Sequence, residues 1–210
     1  KILIPIPPAI KETYFKTTAQ NILASACWEF KETMPFSDVA EWLCDTSATE
    51  IVEQLQKSTK KETRMLINAV DNIKTEQLAS VMNELRNTMI PYAIDEQLSY
   101  ITGSNGLTLS DIETNWVYIE LEENKLEVYN AFLALVISQF VKYLASRKEY
   151  QEPRILLALD EFSRIGKMDL LVDSIATLGG RGVTTMILFQ SLAQLDKVYG
   201  SDSRKIIMDN

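Results

Sequence analysis

The sequence predicts an α/β protein: a partial parallel sheet with helices on both faces, joined to a separate all-helical block. Three observations predict it. With 210 residues, 46% of them hydrophobic, the chain can fill one large core or two small ones and is far from the composition of a disordered segment. Through residues 9–100 apolar side chains recur at three and four positions and no convincing strand interrupts them. From about residue 113 the period changes, and short apolar runs alternate with helical segments, as right-handed crossovers between parallel strands require.

Residues 1–8 read as an extended link. The stretch 13–30 spaces Tyr14, Phe15, Ala19, Ile22, Leu23, Ala26 and Phe30 along one helix face, and Pro35 closes the segment. Ser37 is placed to cap a short helix through DVAEWLC, and SATE at 47–50 has the Ser-x-x-Glu form of a capping box. KETRMLINAVDNI and TEQLASVMNELRNTM read as two more helices, the second stopped by Pro91. The all-α block is therefore bounded at 9–112, with TGSNG as a turn cluster near its end. In residues 113–210, WVYIEL (116–121) is predicted as a strand, NKLEVYNAFLALVISQFVKYLAS as a long helix and RILLALD as a buried strand. KMDLLVDSIATL then reads as a helix, VTTMILFQ as a strand, SLAQLDKVY as a helix and KIIMD as a last strand.

Composition excludes several functions. The formal charge is −8, with 10 basic and 14 acidic residues in 1–110 and 11 and 15 in 111–210. An even acidic balance argues against this chain alone gripping nucleic acid, because that affinity comes from lysine and arginine displacing counterions. Lys57, Lys60, Lys61 and Arg64 form the one basic concentration and read as a solvated loop and helix start. With two cysteines, Cys27 and Cys44, and no histidine, neither a structural zinc nor a disulfide framework is expected, and the compartment reads as reducing. Trp28, Trp42 and Trp116 read as core or interface anchors rather than base-stacking platforms. The apolar run AFLALVISQFV, 131–141, is shorter than the 20 or so residues a bilayer needs and reads as a buried helix. A chain that opens on Lys1 without a signal segment reads as part of a longer protein.

The candidate chemistry lies at the strand ends, where α/β sheets collect functional groups. RILLALDEF drives an apolar strand into Asp160 and Glu161, the Walker B pattern of nucleotide-phosphate sites. There the aspartate holds Mg²⁺ through a water, and the glutamate polarises the water that attacks the phosphorus. Gln190 ends the next strand and falls beside the acids, suited to sensing a terminal phosphate or orienting water. The alternative for the two acids is a strand end in water, and for Gln190 a cap on the sheet edge. No G-x-x-x-x-G-K-[ST] loop occurs in the chain, so the phosphate cradle is missing. GGRG at 179–182 reads as a turn, with Arg181 exposed in it, first as a solvated turn arginine and second as a finger toward a neighbouring subunit's nucleotide.

The stretch LLALDEFSRIGKMDLLVDSIATLGGRGVTTMILFQSLAQLDKVYG, 156–200, resembles the type IV secretion coupling proteins of the VirD4, TraG and TraD group: Asp-Glu-Phe after a strand, a helix, a glycine turn, a strand ending in Gln-Ser, then Gln-Leu and Tyr-Gly. The resemblance implies a RecA-like nucleotide-binding domain carrying an inserted all-α domain, the latter matched by position and helical content. It implies that 113–210 is the Walker B half of that domain. It further implies a parent that is a membrane-anchored, hexameric ATPase at the cytoplasmic face of a bacterial membrane. ATP and Mg²⁺ belong to the parent, with none expected on this chain alone. The implied partners are a relaxase or effector protein, secretion-channel components, and DNA only in the assembled parent; alone the chain could be a monomer. Two other readings stand beside it: a cargo-docking module without catalysis of its own, and a DNA translocase of the FtsK kind, which does not place a helical domain of this size here.

Overall fold

A computed structural model of the chain describes residues 2–6, 13–70, 73–103 and 106–209, without the side chain of Glu127. The expected link at 1–8 and the turn cluster at 102–106 fall partly outside the described residues. The chain divides into two compact units, Lys1–Gly106 and Leu107–Asn210. The sequence put the division at 112/113. The 3₁₀ turn Leu109–Glu113 goes with the second unit because Glu113 is held there by Arg147.

The first unit is built of six helices among the described residues: α1 (Tyr14–Phe30), α2 (Phe36–Asp45), α3 (Ala48–Gln56), α4 (Lys61–Ile67), α5 (Thr75–Ile94) and α6 (Glu96–Thr102). The predicted face of α1 is largely the buried one, with Ala19, Ile22, Leu23, Ala26 and Phe30 in the core. Against it lie Leu43 of α2, Ile51 and Leu55 of α3, and Val81, Leu85 and Met89 of α5. Ser47 caps α3 as expected, accepting from the Glu50 backbone N–H at 3.3 Å.

Two local predictions in this unit are corrected. Pro35, not Ser37, is the N-cap of α2, and Ser37 lies buried in the first turn with its hydroxyl donating to Asp38 Oδ1 at 3.0 Å. The fixed φ of proline already sets the entry to that helix. Pro91 sits inside α5 rather than ending it. Burial of the next residue outweighs the lost backbone bond, since Tyr92 is in the core and packs edge-on against Phe36 at 5.2 Å.

The second unit contains α7 (Leu126–Ala145), β1 (Ile155–Leu159), α8 (Asp169–Leu178), β2 (Val183–Ile187) and α9 (Leu192–Asp209), the last kinked at Gly200. The strands pair in parallel, Ile155 opposite Val183 through Leu159 opposite Ile187, with α8 as the crossover. One row of side chains, Ile155, Leu157, Leu159, Val183 and Ile187, joins a core with Leu133, Ile137, Val141 and Leu144 of α7 and Leu171, Val172 and Leu178 of α8. The alternate row, with Leu156, Thr184 and Met186, is exposed. In α7, 128–145 is long and apolar enough to cross a membrane by length and composition. The run 131–141 lies inside this longer helix, where Leu133, Ile137, Phe140, Val141 and Leu144 are buried in the unit's core.

Two predicted strands are absent. Residues 116–121 form no strand, with Trp116 and Tyr118 at 85% and 76% exposure, so Trp116 is no core anchor. A strand needs a partner for its backbone groups, and no described neighbour supplies one. KIIMD is the last turn and a half of α9, with Ile207 buried. A short apolar run has no period long enough to separate strand from helix.

Candidate functional site

The site is assembled where β1 and β2 end. After Leu159 the chain turns sharply: Glu161 takes left-handed backbone angles, φ 49° and ψ 45°, uncommon for any residue but glycine. Two neighbouring bonds hold it there. Leu188 N–H donates to Leu159 O at 2.9 Å, and Phe162 N–H donates back to Leu188 O at 2.9 Å. Phe162 is fully buried and stacks on Tyr199 of α9, ring centres 5.0 Å apart. The Tyr199 hydroxyl donates to Gly166 O at 2.9 Å and accepts from Met168 N–H at 3.2 Å, closing the turn onto α9. Gly166 has φ +87°, and a Cβ there would crowd the Asn130 amide at 3.3 Å.

The geometry brings together the three residues predicted at the strand ends. Asp160 is exposed, and its Oδ1 accepts from the Glu161 N–H at 3.0 Å. Gln190 Nε2 donates to Glu161 Oε2 at 3.0 Å. The other carboxylate oxygen, Glu161 Oε1, is buried and has no hydrogen-bond partner among the described residues. Burying an unsatisfied polar atom is costly, so an oriented carboxylate with one oxygen free marks a place prepared for something else.

Two residues not among the predicted site residues complete the cluster. Ser163 Oγ donates to Gln194 Oε1 at 3.4 Å, and Gln194 Nε2 donates to Gln190 Oε1 at 3.4 Å. The signal that could have found Gln194 is its spacing four residues after Gln190, across the start of α9; Ser163 had none. A groove of about 970 Å³ borders the site, running from Trp116 and Tyr118 along β1 to Asp160, Glu161 and Arg164. Arg164 at its rim is paired with Glu123, whose carboxyl the guanidinium holds below the usual carboxylate range.

Arg181 is not brought to this cluster. It precedes β2, so it lies at the opposite end of the strands from the acids, about 17 Å away by the rise of a five-residue strand. It is half-buried rather than exposed. Its guanidinium donates to Arg147 O and its own carbonyl accepts from Arg147, both at 2.8 Å. The turn that carries it is tight. Gly182 has φ +75°, and a Cβ there would meet Gln151 O at 2.5 Å.

The donor set suits magnesium with a nucleotide. Hard oxygen ligands from one or two carboxylates, completed by phosphates and water, are what Mg²⁺ takes in such sites. Among the described residues no group of three or more His, Cys, Asp or Glu converges, so a cage built of protein alone is not on offer. Asp160 would hold the ion, with Glu161 beside it.

The model of a family described as Type IV secretory system Conjugative DNA transfer matches residues 10–210. The chain belongs to that family. It is 24% identical over 159 residues to Protein VirD4 of Agrobacterium fabrum, covering 74% of this chain and 24% of that protein. It is 32% identical over 104 residues to Conjugal transfer protein TraG of Rhizobium radiobacter, covering 49% and 15%. In structure it is similar to the bacterial conjugative coupling protein TrwB, with a TM-score of 0.70 and 13% identity over 99% of this chain and 48% of that one. A second TrwB structure, in complex with ADP and Mg²⁺, matches at a TM-score of 0.70, 14% identity, and 99% and 49% coverage. The chain thus spans about a quarter of the length of VirD4 and about half of the TrwB chains. Likeness at this identity establishes the fold alone, the expected partial RecA-like sheet with an all-α domain, and the family is that of type IV secretory conjugative DNA transfer.

Proposed function

We propose that this chain is the Walker B half of an ATP-driven coupling protein, together with its cargo-facing helical domain. The observation that carries the reading is Glu161, a carboxylate held by a left-handed turn and by Gln190 on one oxygen, with the other buried and free. In this reading Asp160 would hold Mg²⁺ and Glu161 would orient the attacking water and take its proton. Gln190 keeps Glu161 in place at the terminal phosphate. The ion, when bound, supplies charge neutralisation at the phosphates. Arg181 serves the turn before β2, and a finger role would require breaking its bond to Arg147.

The helical unit is the proposed docking surface for a relaxase or effector. Its acidic balance suits a basic or amphipathic tail, with weak, salt-sensitive binding. Its basic stretch is already committed in part: Lys60 Nζ donates to Trp28 O and Glu29 O, and Arg64 to Ser58 O at 2.7 Å. Contact with DNA is assigned to a homo-hexameric parent at the cytoplasmic face of the membrane.

The test is made in the full-length parent. Glu161→Gln should lower ATP turnover by about 10² or more while nucleotide binding stays nearly intact, the scale for removing a positioned base. Asp160→Asn should also raise the Mg²⁺ concentration needed for turnover. Unchanged turnover in both variants would return the acids to a strand end in water.

A further inference from the structure

A glutamine amide has nearly the same shape either way round, yet a half-turn exchanges its donor for its acceptor. At Gln190 that choice decides the site. With the NH₂ toward Glu161 the carboxylate gains a charge-assisted bond; with the carbonyl toward it, two acceptors would meet at 3.0 Å. The strand end does not make the choice, because Gln190 is exposed and its backbone is the same either way.

The acceptor-only carboxylate makes it, and we infer that Gln194, backed by Ser163, holds it: with its NH₂ on Gln190 Oε1, Gln194 keeps the Gln190 amide turned with its own NH₂ on Glu161, which makes Gln194 a positioning residue for hydrolysis. The bonds run in one sense. Ser163 Oγ–H donates to Gln194 Oε1, Gln194 Nε2 donates to Gln190 Oε1, and Gln190 Nε2 donates to Glu161 Oε2. Flipping Gln190 would set its carbonyl against the Glu161 carboxylate and its NH₂ against that of Gln194, and flipping Gln194 would set its carbonyl against Gln190 Oε1, while the Ser163 hydroxyl can follow by donating or accepting. Gln194 is itself anchored, its backbone N–H bound to Ser191 O at 3.1 Å in the first turn of α9. Ser163 lies in the 3₁₀ turn Phe162–Arg164, two residues beyond Glu161, so the chain of bonds returns to the backbone that carries the carboxylate. The consequence is an asymmetric carboxylate. Oε2 is occupied, and Oε1 is left as the oxygen that takes the proton from water.

This rests on the reading of Glu161 as the carboxylate that activates water, and the experiment separates the two. In the full-length parent, ATP turnover and thermal melting are measured for Gln194→Glu, Gln194→Leu, Ser163→Ala and Glu161→Gln. Gln194→Glu keeps the shape but only accepts, so the Gln190 NH₂ turns toward it and leaves Glu161. Its kcat should fall about tenfold, the scale of one hydrogen bond to a charged group, with KM for ATP unchanged. Gln194→Leu frees the amide without reversing it and should lose less, about threefold, and Ser163→Ala less again. A packing role predicts the opposite order, with the isosteric Glu milder than Leu. That order, or wild-type kcat in Gln194→Glu while Glu161→Gln remains inactive, overturns this inference alone. Full turnover in Glu161→Gln overturns the function and this inference together.

Discussion

Each unit of the molecule buries one side-chain oxygen that has no partner among the described residues, Thr63 Oγ1 in the helical unit and Glu161 Oε1 in the α/β unit. The surroundings differ. Thr63 is fully buried in α4, where its own carbonyl accepts from Ser25 Oγ of α1 at 3.0 Å. Close packing of the two helices leaves its hydroxyl stranded, and a neutral hydroxyl costs little enough to be tolerated. Glu161 is half-buried, sits on left-handed backbone and is held by an amide on its other oxygen. An orphaned atom therefore reads as packing in one unit and as function in the other, and the two are separated by charge, backbone strain and a network that aims the group.

The largest effect that would sharpen this contrast concerns a buried charge that is fully partnered. Arg147 is 4% exposed, grips Glu113 with two bonds of 2.9 Å, and donates to Arg181 O and Pro153 O. It ties together the end of α7, the 3₁₀ turn Leu109–Glu113 and both loops that enter the strands. Arg147→Met leaves the Glu113 carboxylate without its counter-charge, with the Tyr143 hydroxyl as its remaining partner, and should cost about 3 kcal/mol. Amide hydrogen exchange should show the loosening in residues 107–209 while 13–103 keep their protection. Equal loosening in both would mean that the two units unfold as one.

Legibility in the sequence divides along the same line. Long periodic segments such as α1 and α7, and the two apolar runs that became β1 and β2, were readable because burial imposes a period. Asp160, Glu161 and Gln190 could be placed together because parallel strands bring their ends side by side. The 116–121 run alternates like a strand but finds no partner, and KIIMD was too short to show its helical period. Ser163 and Arg147 were invisible because a polar side chain's partner is set by three-dimensional approach, and Gln194 showed its place, four residues after Gln190, but not its partners. The left-handed turn at Glu161 was hidden too, since the residue that pattern favours is glycine.

That turn gives the next prediction. Glu161→Gly removes both the left-handed penalty and the buried, unpartnered oxygen, against the greater freedom glycine has when unfolded. The 210-residue chain should gain about 1 kcal/mol in urea unfolding, while the parent carrying the same change loses turnover. A variant that is more stable and inactive is the outcome that strain held for function requires. If Glu161→Gly were destabilising, the bond from Gln190 would outweigh the strain, and the turn would be an ordinary part of the fold.

The smallest effect closes the comparison from the other side. Thr63→Val replaces the stranded hydroxyl with a methyl group of nearly the same volume, keeps the β-branch and leaves the Ser25 to Thr63 backbone bond untouched. If Thr63 Oγ1 is only a by-product of helix packing, the change should stabilise the helical unit by about 0.5 kcal/mol and alter neither turnover of the parent nor cargo binding. The reading is checked by urea unfolding of the 210-residue chain beside a binding titration with the cognate relaxase or effector. Weaker cargo binding would mean that the hydroxyl is reached by a partner, and the two orphaned oxygens would then be alike. Unchanged binding with a small gain in stability leaves Glu161 as the one whose isolation has a use.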